Sequence, residues 1–295
     1  MSSGILTQIF PILKFMIPYP EIDPVIVALG PVKIHWYGLM YLIAFASAWW
    51  LGKSRAKRKD TPANAEHIDD LIFYGALGVV LGGRIGSVLF YNFDSFLDNP
   101  LYLFKIWEGG MAFHGGFIGV MVAMEIYRRK LGCSFFQMMD FVAPLVPIGL
   151  AAGRLGNFIN AELWGAPGSV PWAMKLSCEQ FPANRFVDFA GPLCSSPRHP
   201  SQLYEFLLEG VLMFIILWWF SSRQRPVMSV SALFLICYGV FRSVVEFVRL
   251  PDAHIGFLMG TDWLTKGLLL SVPMILAGIV MWFMAQRERD RATVS

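Results

Sequence analysis

Seven stretches of this chain, at about 35 to 52, 68 to 91, 111 to 127, 135 to 153, 201 to 220, 229 to 248 and 263 to 285, are apolar with few charges. Each is close to the roughly 20 residues a helix needs to cross a bilayer. In hydrocarbon the backbone polar groups of such a run must be satisfied within the segment, which a helix does. With 56% hydrophobic residues, 15% charged residues and a mean hydropathy of +0.53, the chain is too apolar for an ordinary soluble protein. The expected fold is an all-α integral membrane protein with seven transmembrane helices, forming one membrane domain over residues 1–295.

Lysine and arginine concentrate in GKSRAKRKD (52 to 60), YRRKLG (127 to 132), SSRQRP (221 to 226) and RERDR (287 to 291). These are alternate connections plus the C-terminus, so the positive-inside rule puts them on the inner side and the N-terminus outside. The outer side then receives the N-terminal arm, NFDSFLDNPLYLFKIWEGG, a loop over about 154 to 200, and LPDAHIGFLMGTDW. The first apolar stretch contains Lys14, is broken by prolines and lacks a small-residue cleavage site, so no cleaved signal peptide is expected. The four cysteines, at 133, 178, 194 and 237, form no C-x-x-C pair, and no metal site is expected. Cys178 and Cys194 share the outer loop and are either bridged or free thiols. Gly78, Gly82 and Gly86, like Gly115 and Gly119, recur every fourth residue, a spacing that lets helices approach closely.

Ionisable groups inside a membrane are costly and therefore conspicuous. Arg154 and Asn157 share a helix face near the outer end of the fourth run, and Glu162 follows where Gly156, Gly165 and Pro167 turn the backbone out of the helix. Tyr238, Arg242 and Glu246 are spaced by four in the sixth run and stack along one face. Arg242 and Glu246 either neutralise each other or belong to a site. Two arginines in the outer half, with few acids near them, would suit an anion. His114 opens the third run as either a packed histidine or a proton acceptor, since imidazole titrates near neutral pH. Tyr37 lies at similar depth, where an aromatic anchor is the simpler reading. RHPSQLYE (198 to 205) reads as a helix start, with Ser201 as cap and Glu205 in the first turn. No Walker loop, G-x-S-x-G, H-E-x-x-H or dinucleotide fingerprint occurs. A transporter of an anionic substrate is the alternative to an enzyme, but it calls for charges distributed through the membrane depth.

HWYGLMY (35 to 41), LGGRIGSVLFYN (81 to 92), GGMAFHGGFIG (109 to 119), GRLGNFINAELWG (153 to 165), RHPSQLYE and YGVFRSVVEFVR (238 to 249) together resemble the bacterial prolipoprotein diacylglyceryl transferase family. The resemblance covers nearly the whole chain. It implies a multi-pass enzyme of the cytoplasmic membrane, N-terminus periplasmic and C-terminus cytoplasmic, with its active site toward the periplasm. Such an enzyme moves the diacylglyceryl group of phosphatidylglycerol onto the lipobox cysteine of a preprolipoprotein and releases glycerol phosphate. Its expected partners are phosphatidylglycerol, the preprolipoprotein signal peptide and membrane lipids, with no nucleic acid, metal or cofactor. The resemblance assigns catalytic roles to His114, Arg154, Arg242, Tyr37 and Glu246, and substrate binding to Asn157, Asn160, Glu162, Gly165, Tyr238 and Arg84. The loop from about Ala166 to Pro197 and the N-terminus before Pro18 match no motif of the family.

Overall fold

The computed structural model describes residues 17–30, 32–58, 61–105, 110–182, 187–188, 191–251 and 256–294. The expectation about a signal peptide rests on the first sixteen residues and lies outside the described residues, as does most of the unassigned N-terminus. Helices occupy each of the seven apolar ranges. They are α1 (Trp36–Arg55), α2 (His67–Tyr91), α4 (Phe113–Leu131), α5 (Phe135–Val142) running through a 3-10 turn (Ala143–Leu145) into α6 (Val146–Ile159), α7 (Ser201–Glu205) running through a π-helical segment (Phe206–Leu212) into α8 (Met213–Phe220), α9 (Ser229–Glu246) and α10 (Lys266–Val294). A short α3 (Phe93–Asp98) follows α2.

Among the described residues, five of these helices or helix runs are long and apolar enough to cross a membrane, against the seven expected. The other two, α1 and α4, carry the polar load. Trp36, Tyr37, Tyr41, Trp49 and Trp50 crowd α1, and α4 holds His114, Glu125, Arg128, Arg129 and Lys130 among its glycines. The fourth range also differs in detail. Pro144 and Pro147 interrupt the hydrogen-bond ladder between α5 and α6, and the helix resumes as far as Ile159, so the connecting loop begins at Asn160 rather than near 154.

Local chemistry sets the boundaries. Ser134 and Gln137 form a reciprocal capping box at the start of α5, and Gly132, with φ of 68°, closes α4 in the left-handed conformation that favours glycine. Side chains then gather one set of helix ends. Lys53 Nζ lies 2.9 Å from Asp69 Oδ2, Lys130 Nζ lies 2.7 Å from Asp70 Oδ2, and Arg55 Nη1 donates to Ser221 Oγ at 2.6 Å. Asp140, an acid inside an apolar run, accepts from Met228 N at 2.7 Å and from Ser231 N at 2.8 Å, and so caps α9 from α5. The ends of α1, α4 and α8 and the starts of α2 and α9 therefore lie together, bringing three basic clusters to one face.

α2 and α4 meet along their glycines. A Cβ on Gly119 would lie 2.0 Å from the Gly78 carbonyl oxygen, and one on Gly82 would lie 2.3 Å from that of Gly115. Only backbone without side chains permits this approach. Gly119→Ala is expected to force the helices apart at a cost of about 1–3 kcal/mol. A thermal unfolding curve in detergent that matches the unsubstituted protein would refute the prediction.

The opposite end carries a small head. Strand β1 (Ile17–Pro18) pairs with β4 (Met174–Lys175), β2 (Val25–Leu29) with β3 (Val32–His35), and β5 (Val187–Asp188) with β6 (Gly191–Pro192). Tyr19 is its keystone. Its hydroxyl donates to the carbonyls of Phe158 and Ile159 at 2.8 and 2.9 Å, and its ring packs edge-on against Phe158, Trp164 and Phe181. Burial pushes the Tyr19 phenol up to about 12. Cys178 and Cys194 are joined in a disulfide, which resolves the alternative left open by the sequence.

Candidate active site

Arg154 and Asn157, three residues apart on α6, project near the head. Opposite them, α7 and the π-helical segment carry Glu205 and Glu209, and α9 carries Tyr238, Arg242 and Glu246. The four-residue spacing on α9 does what helical geometry requires: Arg242 Nη2 lies 2.9 Å from Glu246 Oε2. The other edge of the Arg242 guanidinium, through Nη1, is in direct contact with Glu205 Oε1. Arg249 Nη1 donates to the same oxygen at 2.8 Å. Arg154 reaches across with Nε 3.3 Å from Glu205 Oε2 and Nη2 3.4 Å from Glu209 Oε2. The Tyr238 hydroxyl lies within electrostatic range of both Glu205 and Glu209 as well as of Arg154 and Arg242.

Three guanidiniums thus meet three carboxylates whose side chains are almost completely buried, Glu205 and Glu209 at 0% exposure and Glu246 at 3%. This corrects the expectation that the outer arginines have few acids near them. Glu205 explained itself too easily as the first turn of a helix, and Glu209 fell within an apolar run. The signal was present in YEFLLEG, because two carboxylates four residues apart inside a membrane run are as conspicuous as any intramembrane charge. The local backbone brings them in. Gly210 lets the π-helical segment close on α6, since a Cβ there would lie 2.5 Å from Ala151 Cβ, and π-helical turns are frequent at functional sites.

The stretch GRLGNFINAELWG continues from α6 as a tight turn. Ala161 and Leu163 take φ of 54° and 58°, a region that non-glycine residues enter at a cost. Side chains from the start of α7 hold the turn: Ser201 Oγ donates to the Leu163 carbonyl at 2.8 Å, and the Gln202 amide donates to the Glu162 carbonyl. The exposed Glu162 carboxylate then accepts from Asn157 Nδ2 and Asn160 Nδ2, each at 3.2 Å. Tyr37, on α1, packs its ring against Gly156, where a Cβ would lie 3.0 Å from the ring. These contacts bring Tyr37, Arg154, Asn157, Asn160, Glu162, Tyr238, Arg242 and Glu246 into one region.

Three expected site residues stand differently. Gly165 is buried at a backbone crossing, donating its N–H to the His199 carbonyl at 3.0 Å, and a Cβ there would lie 2.6 Å from the Val248 carbonyl oxygen. Its place explains the glycine by close approach. Arg84, on α2, is buried with Nε on the Leu103 carbonyl and Nη2 on that of Tyr102, its guanidinium over the Tyr102 ring. His114 is an exposed residue in the first turn of α4. Near it, Ala112 N donates to the Gly83 carbonyl at 2.9 Å. Arg84 and His114 therefore belong to the α2–α4 pair, whereas the charge cluster is built on α6, α7, the π-helical segment and α9.

The head closes over this end of the bundle. Arg198, fully buried, donates to the carbonyls of Gly165, Gly191, Pro192 and Leu193. His199 Nδ1 sits 3.0 Å from the Tyr204 hydroxyl, which also accepts from Trp172 Nε1 at 2.7 Å. Partial burial lowers the His199 imidazole below the ordinary histidine range, favouring its neutral form.

Residues 24–284 match the family model described as prolipoprotein diacylglyceryl transferase. A protein of Pseudomonas paraeruginosa named phosphatidylglycerol--prolipoprotein diacylglyceryl transferase is 57% identical over 277 residues, 94% of this chain and 98% of its own. One of Pseudomonas putida with the same name is 54% identical over 277 residues, 94% of this chain and 99% of its own. A Pseudomonas fluorescens protein, again so named, is 55% identical over 275 residues, 93% of this chain and 97% of its own. With a match across most of its length and relatives at this identity, the chain belongs to the prolipoprotein diacylglyceryl transferase family.

Proposed function

We propose that this protein transfers the diacylglyceryl group of phosphatidylglycerol to the lipobox cysteine thiol of a preprolipoprotein, releasing glycerol phosphate. The observation that carries this reading is the buried cluster of Arg154, Arg242 and Arg249 on Glu205, Glu209 and Glu246 at the head end of an apolar bundle. Guanidiniums held by carboxylates within a low-dielectric wall are suited to recognising a phosphodiester at the edge of the hydrocarbon. Family membership and the names of the relatives support the same substrates.

The protein crosses the cytoplasmic membrane seven times, with α1 and α4 as the two more polar spans, its N-terminus periplasmic and its C-terminus cytoplasmic. Support comes from the basic clusters gathered at one end. It also comes from the disulfide in the head, which suits an oxidising compartment.

A thiol has an ordinary pKa of about 8.5, so little of it is nucleophilic at neutral pH. In the step proposed, the cysteine sulfur attacks the glyceryl carbon that bears the phosphate ester. The S–C bond forms, the C–O bond breaks, its electron pair goes to the phosphate oxygen, and the thiol proton passes to His114 or to a water it polarises. Arg154 and Arg242 stabilise the charge growing on phosphate, and Glu246 orients Arg242. Asn157 and Tyr37 hold the glycerol head or phosphate oxygens, while Asn160, Glu162 and Tyr238 shape the pocket. Gly165 and Arg84 serve it by fixing backbone around it. Because His114 belongs to the α2–α4 pair, the thiol approaches the lipid from that side, between the base and the arginines. His114→Gln is expected to cut the rate by about 10²–10⁴, the usual worth of a positioned base, with partial recovery as pH rises toward the thiol's own pKa. A rate profile across pH 6 to 9 that does not change on substitution would remove His114 from the step.

The decisive experiment measures glycerol phosphate release by the purified protein in detergent, with phosphatidylglycerol and a lipobox peptide each present or omitted, and with a cysteine or a serine in the peptide. Release requiring both lipid and thiol establishes the transferase. Release without peptide would make it a phospholipase, and no release by folded protein would favour an anion transporter.

A further inference from the structure

Arg154 is held more loosely than its neighbours. Its contacts to Glu205 and Glu209 are 3.3 and 3.4 Å, whereas Arg249 lies 2.8 Å from Glu205 and Arg242 2.9 Å from Glu246. Its side chain is also the most exposed of the three arginines, at 19% against 13% and 11%. When Arg154 turns to a phosphate, Glu205 keeps Arg242 and Arg249. Glu209 has no second close ion pair among the described residues: Arg154 is its partner, its side chain is fully buried, and its Oε1 has no hydrogen-bond partner there. A buried carboxylate deprived of its cation is strongly disfavoured. The arginine is therefore pulled back.

We propose that Glu209 is a positioning residue that competes with phosphate for Arg154 and so drives release of the glycerol phosphate product. The inference rests on the transferase reading above. Its chemical need is clear from the charges. The lipid phosphodiester carries a single negative charge, whereas a phosphomonoester carries about −1.5 to −2 at pH 7. Arginines that bind the substrate well would hold the more highly charged product better still, and turnover would stall without a competing anion inside the site. Glu209 is that anion. It lies in the π-helical segment one turn beyond Glu205, close against α6 through Gly210.

The test compares the full-length wild type with Glu209→Gln and Glu209→Asp in detergent, using glycerol phosphate as the titrant and phosphatidylglycerol with a lipobox peptide as substrates. Glu209→Gln should bind glycerol phosphate about tenfold more tightly and show a lower KM for the lipid. Its steady-state kcat should fall by a similar factor and by more than its single-turnover rate, giving a burst of product. Glu209→Asp, whose carboxylate is drawn back by one methylene, should shift in the same direction to a smaller extent and provides the test should the glutamine variant not fold. Unchanged or weaker product affinity in either folded variant, or a lost first turnover, overturns the proposal. Failure of the underlying reading would look different, because the wild type itself would then release no glycerol phosphate from lipid and peptide.

Discussion

Glu205→Ala is expected to lose about 3–5 kcal/mol of stability, the range for breaking a buried ion pair by removing one partner, and to abolish measurable transfer. Glu205 is completely buried and is the shared counter-ion of Arg154, Arg242 and Arg249. Without it Arg249 loses this ion pair, and among the described residues Arg242 keeps Glu246 and Arg154 keeps Glu209 as ion-pair partners. Glu205→Gln keeps the volume and an acceptor oxygen and should fall between the two, which separates loss of charge from loss of packing. Thermal unfolding in detergent and glycerol phosphate release, run on the same preparations, check both halves. A Glu205→Ala protein that melts with the wild type and still turns over would mean that the cluster is dispensable.

What made this site partly legible was periodicity. Tyr238, Arg242 and Glu246 fall every four residues, and a helix can only stack them, so the Arg242–Glu246 pair follows from the sequence. Arg154 and Asn157 are readable in the same way. The partner helix is less legible because Glu205 satisfies two descriptions at once, an acid in a first helical turn and a buried counter-ion. Periodicity within one segment cannot choose between them. The choice depends on which helices pack together, which is tertiary information. The placing of Arg84 on α2 and His114 on α4, while the cluster is built on α6 to α9, is tertiary information of the same kind. Gly156, Gly165 and Pro167 mark the turn in the sequence. The residues that enter the left-handed region are instead Ala161 and Leu163, which have no intrinsic preference for it and are held there by Ser201 and Gln202 from a segment some forty positions away.

The fold was legible where apolar length decides and less so where composition is mixed. Among the described residues, α1 and α4 are helices in their expected places but fall outside the set apolar enough to cross by composition alone. Their polar residues have specific uses. Trp49 donates to Asp69 Oδ1 at 2.6 Å, and Arg128 pairs with Glu125 within α4. The head was beyond the sequence because its order comes from distant contacts. Tyr19 caps carbonyls at the end of α6, the disulfide closes residues 178 to 194, and Arg198 gathers the surrounding carbonyls.

Arg242→Lys is expected to lower transfer with the fold preserved: a fall on the order of 10²–10³, the range for losing one preorganised donor. The guanidinium bridges two buried carboxylates, Glu205 through Nη1 and Glu246 through Nη2 at 2.9 Å. It is thereby fixed in one plane before any substrate arrives. A lysine ammonium retains the charge, so the cluster stays neutral and the protein should fold. As a point charge on a flexible stem, however, it can approach one carboxylate or the other but cannot span both and also present a fork to phosphate. The loss should appear mainly in kcat, because the charge that attracts the lipid remains while the geometry needed as the C–O bond breaks does not. Steady-state kinetics on protein with an unchanged gel-filtration profile and melting curve provide the check. Near wild-type kcat would show that charge alone suffices at this position and would shift the leaving-group role to Arg154.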